Sequence, residues 1–306
     1  VKKILITGAL GFSGKYLTSY LVKTCPLNII QLDIFNDESE NYYQVNLENP
    51  DEVKEIINKI KPDYLVHLAG ITKSPNYQDF YRGNLFTSIN LLDALVQNKL
   101  FDCKILLVSS SAVYGNNSKK LLSENSRLFP INHYGNSKIA MENTAIQYYR
   151  NFKLKINIAR PFNIIGPAQS TQFVLPSLIH KLMKLKLSNN DSSFEVSDLN
   201  HTRDFIDIRD VVKAYWVILN SDRSGEIYNI GSGKEVSIKE AINKTIELLN
   251  LKIKLKGKQN ESGSIQIKAQ IAAIKKIKTL TWNPGISLEK SIRDIIEYIS
   301  LTMGKK

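Results

Sequence analysis

Tyr134 and Lys138 stand four residues apart in the run His133-Tyr134-Gly135-Asn136-Ser137-Lys138. On a helix that spacing puts both side chains on one face, where an ammonium would draw a phenol pKa from about 10 towards neutrality. A phenol so tuned acts as acid or base at a carbinol carbon. Upstream, Ser109-Ser110-Ser111 closes an apolar run and sets hydroxyls where open α/β sheets bind ligands. Tyr149 and Lys153 repeat the tyrosine–lysine spacing, but at the end of the same helical stretch, where side chains are solvated or packed.

A second set of residues suits an anion. Gly8, Gly11 and Gly14 follow the first apolar run in the order Thr7-Gly8-Ala9-Leu10-Gly11-Phe12-Ser13-Gly14. Chain without Cβ atoms turns tightly and brings its backbone against a pyrophosphate, with the N–H groups of the next helix facing it. Asp33 ends the second run, where a carboxylate accepts both hydroxyls of an adenosine ribose and repels a 2′-phosphate. NAD is therefore favoured over NADP. The alternative role for Asp33 is to cap a loop.

These groups need a scaffold, and the pattern around them supplies one. Short apolar runs at 4–7, 28–33, 64–68, 105–109 and 155–159 alternate with helical spacing over 13–23, 50–61, 79–98 and 134–151. Continuous apolar strands are buried on both faces, so the alternation predicts an α/β fold: a Rossmann-type doubly wound parallel sheet. After Arg160-Pro161 strands shorten and helices stand alone, at 176–186, 210–219, 237–249 and 287–299. The expected organisation is a sheet domain over 1–160 and a smaller C-terminal α/β substrate lobe over 161–306, with some segments returning to the sheet. The lysine-rich stretch 252–278 reads as loop.

The 306 residues are 43% hydrophobic, which excludes disorder, collagen and small disulfide scaffolds. Cys25 and Cys103 form no CxxC pair, and His67, His133, His180 and His201 show no metal-ligand spacing, so neither a disulfide framework nor a metal is expected. His67, on a buried run, reads as a satisfied core histidine. The opening run meets glycine too early for a signal peptide and nothing approaches a membrane span, so a cytoplasmic protein is expected. The net charge of +12 is uneven: residues 1–149 carry +1 and the rest +11. An anionic metabolite fits that balance; no basic stripe interleaved with aromatics argues for nucleic acid.

The glycine turn, His67-Leu68-Ala69-Gly70, Asn84 through Leu92, the serine terminus and the Tyr134/Lys138 pair together resemble the extended short-chain dehydrogenase/reductase family of nucleotide-sugar epimerases, dehydratases and reductases. The resemblance continues through Arg160-Pro161-Phe162-Asn163, Arg203-Asp204-Phe205-Ile206-Asp207, Tyr228-Asn229-Ile230-Gly231 and Trp282-Asn283-Pro284, nearly the whole chain. Within the family, the Pro-Phe-Asn and Arg-Asp-Phe-Ile-Asp runs look most like GDP-4-keto-6-deoxy-D-mannose reductases.

That resemblance implies Ser110, Tyr134 and Lys138 as the catalytic set. It implies an NAD(P)H cofactor held by Gly8, Gly11, Phe12, Ser13, Gly14, Asp33, Asn46, Leu47, Leu68, Ala69, Gly70, Asn84, Tyr134, Lys138 and Pro161. For a nucleotide-diphosphate sugar it implies Thr72, Ser111, Asn163, Val174 and Arg203. Asn163 alternatively serves as a turn residue, and Arg203 as an ion-pair partner of Asp204 or Asp207. Relatives that eliminate water carry a glutamate where this chain has Ala112, which leaves hydride chemistry. The implied activity is reduction of the C4 keto group of a nucleoside-diphosphate-4-keto-6-deoxyhexose. A 4-epimerase with retained NAD is the alternative, and a non-catalytic NAD(P)-sensing protein the third reading. Three departures stand out. Asn46 replaces a usual aspartate, 256–264 lacks a second arginine though Lys256 or Lys258 offers a point charge, and Asp33 replaces NADP-adapted residues. The family analogy also implies a homodimer through helices 79–98 and 134–151.

Overall fold

Strands rich in Ile, Leu and Val alternate their side chains between two faces, and both faces here meet helices. The computed structural model describes residues 1–187, 193–197, 199–258, 267 and 269–303. Up to Phe152 the order is β1 (Lys3–Thr7), α1 (Phe12–Thr24), β2 (Asn28–Asp33), β3 (Tyr42–Gln44), α2 (Pro50–Ile60), β4 (Tyr64–His67), α3 (Tyr77–Tyr81), α4 (Thr87–Gln97), β5 (Lys104–Val108), β6 (Leu121–Leu122) and α5 (His133–Phe152). There follow β7 (Lys155–Pro161), β8 (Asn163–Ile165), α6 (Val174–Leu187), β9 (Phe194–Ser197), β10 (Thr202–Arg203), β11 (Phe205–Asp207), α7 (Ile208–Asn220) and β12 (Ile227–Ile230). The chain continues with β13 (Val236–Ser237), α8 (Ile238–Leu249), β14 (Leu255–Lys258), β15 (Ala269–Ala272), α9 (Lys275–Lys278) and α10 (Leu288–Met303).

Seven strands form one parallel sheet in the order β12-β7-β5-β4-β1-β2-β3. Leu5, Leu65, Ile105 and Leu107 point to one face, into a core with Val53 and Ile57 of α2, Leu91 and Leu95 of α4, and Met141 of α5. Ile4, Ile6, Val66 and Leu106 point to the other, against Leu17 and Leu21 of α1 and Val211, Tyr215 and Ile218 of α7. The doubly wound α/β sheet expected from the alternation is present.

Its outer strands come from less legible places. Strand β3 has only three residues, and β12 lies beyond residue 160, carried back to the sheet by α7. The proposed boundary at 160 falls inside β7, so sheet and lobe interleave along the chain. The lobe gathers α6, α8 and α10 around Ile179, Leu182, Ile242 and Ile292, with the small parallel pair β14–β9 packed on them. The stretch 252–278, read as loop, contains β14, β15 and α9 among its described residues.

Local chemistry sets helix starts near the site. Asn49 accepts hydrogen bonds from the N–H groups of Asp51 and Glu52, with Pro50 in the first turn of α2. Asn132 accepts from Gly135 N at 2.9 Å and starts α5, which puts Tyr134 in the first turn. The helix read over 79–98 is interrupted: Arg82–Phe86 forms a π-helical turn between α3 and α4. Such turns shift the phase of a helix and are frequent at functional sites.

Candidate active site

Strands β1, β4 and β5 end at one edge of the sheet, and two clefts lie there. The first, of about 470 Å³, includes Gly8, Gly11, Asp33, Asn46, Ala69 and Gly70 in its wall, with Leu47 and Leu68 beside them. Gly8 has φ +66°, and a Cβ there would stand 2.6 Å from the backbone nitrogen of Ala69. Only glycine fits that position. Gly11 precedes α1, and no side chain caps the helix, so its first N–H groups face outward for an anion. Phe12 and Ser13 open α1, and Gly14 is buried in its first turn against the carbonyls of Gly8 and Ala9.

Asp33 holds the turn as well as lining the cleft. Its Oδ2 accepts from Leu10 N at 2.9 Å, and its Oδ1 accepts from Ile34 N at 2.8 Å and Phe35 N at 3.4 Å, so the loop-capping role is real. Sequence reasoning missed Ile34 and Phe35, which are 55% and 70% exposed and line the same cleft. Two exposed apolar residues directly after a strand-ending aspartate were the available signal. Asn46 Oδ1 accepts from Glu48 N at 3.0 Å.

The second cleft, of about 820 Å³, meets the chain next to the first: Ile71 lines one and Thr72 the other. Tyr134 lines it, with Lys73, Tyr77, Phe80, His133 and Gln172. His133 stacks on Tyr77 with ring centroids 4.3 Å apart, and its Nδ1 lies 3.1 Å from the Tyr81 hydroxyl. Lys73 Nζ donates to the Gln172 carbonyl at 2.5 Å, joining two loops at the rim. None of these was singled out from the sequence except Thr72 and Tyr134; their proximity depends on the fold.

Between the clefts, three consecutive residues after β5 or at its end meet α5 at successive helical turns. Ser110 acts on the Tyr134 phenol, favouring its ionised form. Val108 O accepts from Lys138 Nζ at 2.9 Å. Ser109 donates its hydroxyl to Glu142. Ser110 also accepts from Ala112 N at 3.1 Å, opening the 3₁₀ turn Ser111–Tyr114, in which Ser111 is buried. A Cβ on Gly70 would stand 2.5 Å from Asn84 Oδ1 and 3.4 Å from Lys138 Nζ, so both reach the wall of the first cleft. Asn84, buried in the π turn, donates to Ile71 O and Ser137 Oγ at 3.0 Å each and accepts from Ile71 N at 3.0 Å.

One expectation is corrected. The Tyr134 phenol is pushed up from 10, not drawn down: burial dominates and Ser110 only partly offsets it. Lys138 meanwhile falls to about 8 through burial, with Glu142 opposing the fall.

Of the expected substrate residues, Thr72 lines the second cleft. Asn163 Nδ2 donates to Asp204 O at 3.2 Å, and Arg203 donates to the carbonyls of Thr202 and Ile267 at 2.8 Å each; neither lines the two clefts described. Val174 begins α6 and is 60% exposed, while Pro161 is buried at the end of β7. Of the stretch 256–264, residues 259–264 lie outside the described residues. His67 is neutral in the core: burial drives it down to about 3. Among the described residues no cluster of three or more His, Cys, Asp or Glu is arranged for a metal, and no helix is long and apolar enough to cross a membrane.

The chain belongs to the GDP-mannose 4,6 dehydratase family, whose model matches residues 5–295, and has the extended short-chain dehydrogenase/reductase fold. It is 29% identical over 305 residues to the GDP-6-deoxy-D-mannose reductase of Pseudomonas aeruginosa, covering 96% of each chain. It is 32% identical over 261 residues to the GDP-6-deoxy-D-talose 4-dehydrogenase of Aggregatibacter actinomycetemcomitans, covering 85% of this chain and 83% of that one. Among solved structures, RMD from Pseudomonas aeruginosa complexed with NADPH superposes with a TM-score of 0.86 at 27% identity, over 99% of this chain and 100% of that chain.

Proposed function

We propose that this chain is a nucleotide-sugar oxidoreductase that reduces the C4 keto group of a nucleoside-diphosphate-4-keto-6-deoxyhexose of the GDP-4-keto-6-deoxy-mannose type. The carrying observation is that Tyr134 lines the second cleft while Lys138, one turn further along α5, reaches the wall of the first. Relatives named as a GDP-6-deoxy-D-mannose reductase and a GDP-6-deoxy-D-talose 4-dehydrogenase support the substrate class.

The first cleft fits a nicotinamide dinucleotide: the Cβ-free approach at Gly8 and the uncapped α1 suit its pyrophosphate, and Asp33 suits the adenosine ribose of NAD. When bound, that cofactor supplies the hydride. The protein's share is the proton. Tyr134 donates its phenolic proton to the C4 oxygen as the carbonyl carbon is reduced, Ser110 hydrogen-bonds that oxygen, and Lys138 holds the nicotinamide ribose. Burial keeps the phenol protonated across neutral pH, which suits a proton donor. No carboxylate lines the second cleft among the described residues, and Ala112 stands by Ser110, so water elimination lacks its acid and base.

Incubation with NADH and GDP-4-keto-6-deoxy-mannose should consume the two in equal amounts, and GDP-mannose should remain unchanged. Turnover without net NADH consumption would instead assign the 4-epimerase. We place the enzyme in the cytoplasm as a homodimer through α4 and α5; a monomer by light scattering would refute the dimer.

A further inference from the structure

Glu142 lies outside both clefts, yet it is 2% exposed and fully engaged. Its Oε1 accepts from Arg160 Nε at 2.9 Å and its Oε2 from Arg160 Nη2 at 2.6 Å, a bidentate pair between α5 and β7. Oε1 also accepts the Ser109 hydroxyl. Arg160 in turn donates to the Tyr114 hydroxyl at 2.9 Å and to Glu124 O at 3.1 Å, and Tyr114 donates to Asn229 Oδ1 at 2.6 Å. Removing one partner of such a pair leaves a buried charge uncompensated.

The placement matters more than the pair. Tyr134, Lys138 and Glu142 follow one another at four-residue spacing along one face of α5, and Ser110, Val108 and Ser109 meet them in that order. We propose that Glu142 is a positioning residue: it supplies the counter-charge to the Lys138 ammonium one helical turn away and, through Ser109, fixes the strand end that presents Ser110 to Tyr134.

The charges around Lys138 are few. On α5 they are Glu142 and the neutral Tyr134 phenol. From β4 comes His67, kept neutral by burial, and from β7 Arg160, which reaches Lys138 only through Glu142. The π turn offers Asn84, which is uncharged, and β5 offers the Val108 carbonyl. Glu142 is therefore the one anion acting on the ammonium among the described residues.

The inference rests on the proposed roles of Ser110, Tyr134 and Lys138, and its test reads NADH affinity against pH as well as kcat/KM against pH. In Glu142→Gln the alkaline limb of both profiles should move down by roughly one pH unit, since the ammonium loses its counter-charge. In Arg160→Met the carboxylate is no longer neutralised and the limb should move up. Glu142→Asp, which keeps the charge, should restore the parent limb. A residue that only props the fold would lower Tm and amplitude in both variants with the limb unmoved. An unmoved limb, or movement in the same direction in Glu142→Gln and Arg160→Met, overturns the proposal, and either folded variant alone decides its own sign. A parent enzyme that binds NADH but reduces no 4-keto sugar overturns the functional reading, leaving the affinity profile to judge Glu142.

Discussion

Thr7 Oγ1 and His67 Nδ1 lie 2.7 Å apart across the β1–β4 pair, where the two residues are direct register partners. The same hydroxyl accepts from Ala69 N at 3.3 Å, so a buried polar contact sets the backbone that lines the first cleft.

Burial of His67, with the Lys138 charge adding to it, makes stability depend on pH. The folded protein holds His67 at about 3, below its ordinary 6.5, so the neutral side chain contributes stability above pH 6.5 that is lost as pH falls towards 3. The unfolded chain takes up a proton the folded chain refuses, so the slope steepens as pH falls below 6.5 and approaches about 1.4 kcal/mol per pH unit. Urea unfolding of the cofactor-free protein at pH 7, 6 and 5 should show that slope, and His67→Asn should flatten it. Equal slopes in both proteins would remove His67 as its source.

Replacing Gly8 by alanine should cost roughly 1–3 kcal/mol, because φ +66° strains an L-residue and the new methyl meets Ala69. NADH affinity should fall with it. A variant with parental unfolding midpoint and parental NADH titration would show that the turn tolerates a side chain.

Tyr134→Phe should lose a factor of about 10²–10⁴ in kcat while NADH binding holds, since only the proton donor is removed. Stopped-flow turnover and fluorescence titration separate the two. Near-parental turnover would take Tyr134 out of the chemistry.

NADH should be used at least about tenfold better than NADPH, and Asp33→Asn should narrow the ratio by removing the repulsion of a 2′-phosphate. Asparagine keeps an acceptor for Leu10 N but withdraws the one that Ile34 N and Phe35 N use, so the unfolding midpoint is read beside the ratio. A parent enzyme that prefers NADPH would contradict this reading of Asp33.

What was legible in the sequence was local. Five strands announced themselves as apolar runs, and the glycine turn and the Tyr134/Lys138 pair carried their geometry in their spacing. Strand β3 was too short and β12 too distant to be joined to the sheet by pattern. The π turn at Arg82–Phe86 hid because an extra residue in one turn leaves the apolar spacing of the flanks intact. The direction of the Tyr134 shift was misread because spacing places an ammonium nearby but says nothing of burial. The tie from Ser109 through Glu142 to Arg160 and Tyr114 joins residues distant in the chain, and no local pattern announces it.

The late arrival of β12 bears on how the protein is made. Until Ile227–Ile230 has left the ribosome, β7 is an edge strand, six of its seven residues destined for burial, with a row of unpaired backbone groups on one side. The nascent sheet therefore passes through a stage in which its stickiest margin is open to other chains, and slow non-local closure prolongs it. A fragment ending at residue 161 should expose that edge to aggregation or chaperones, and extension past Ile230 should remove this contribution.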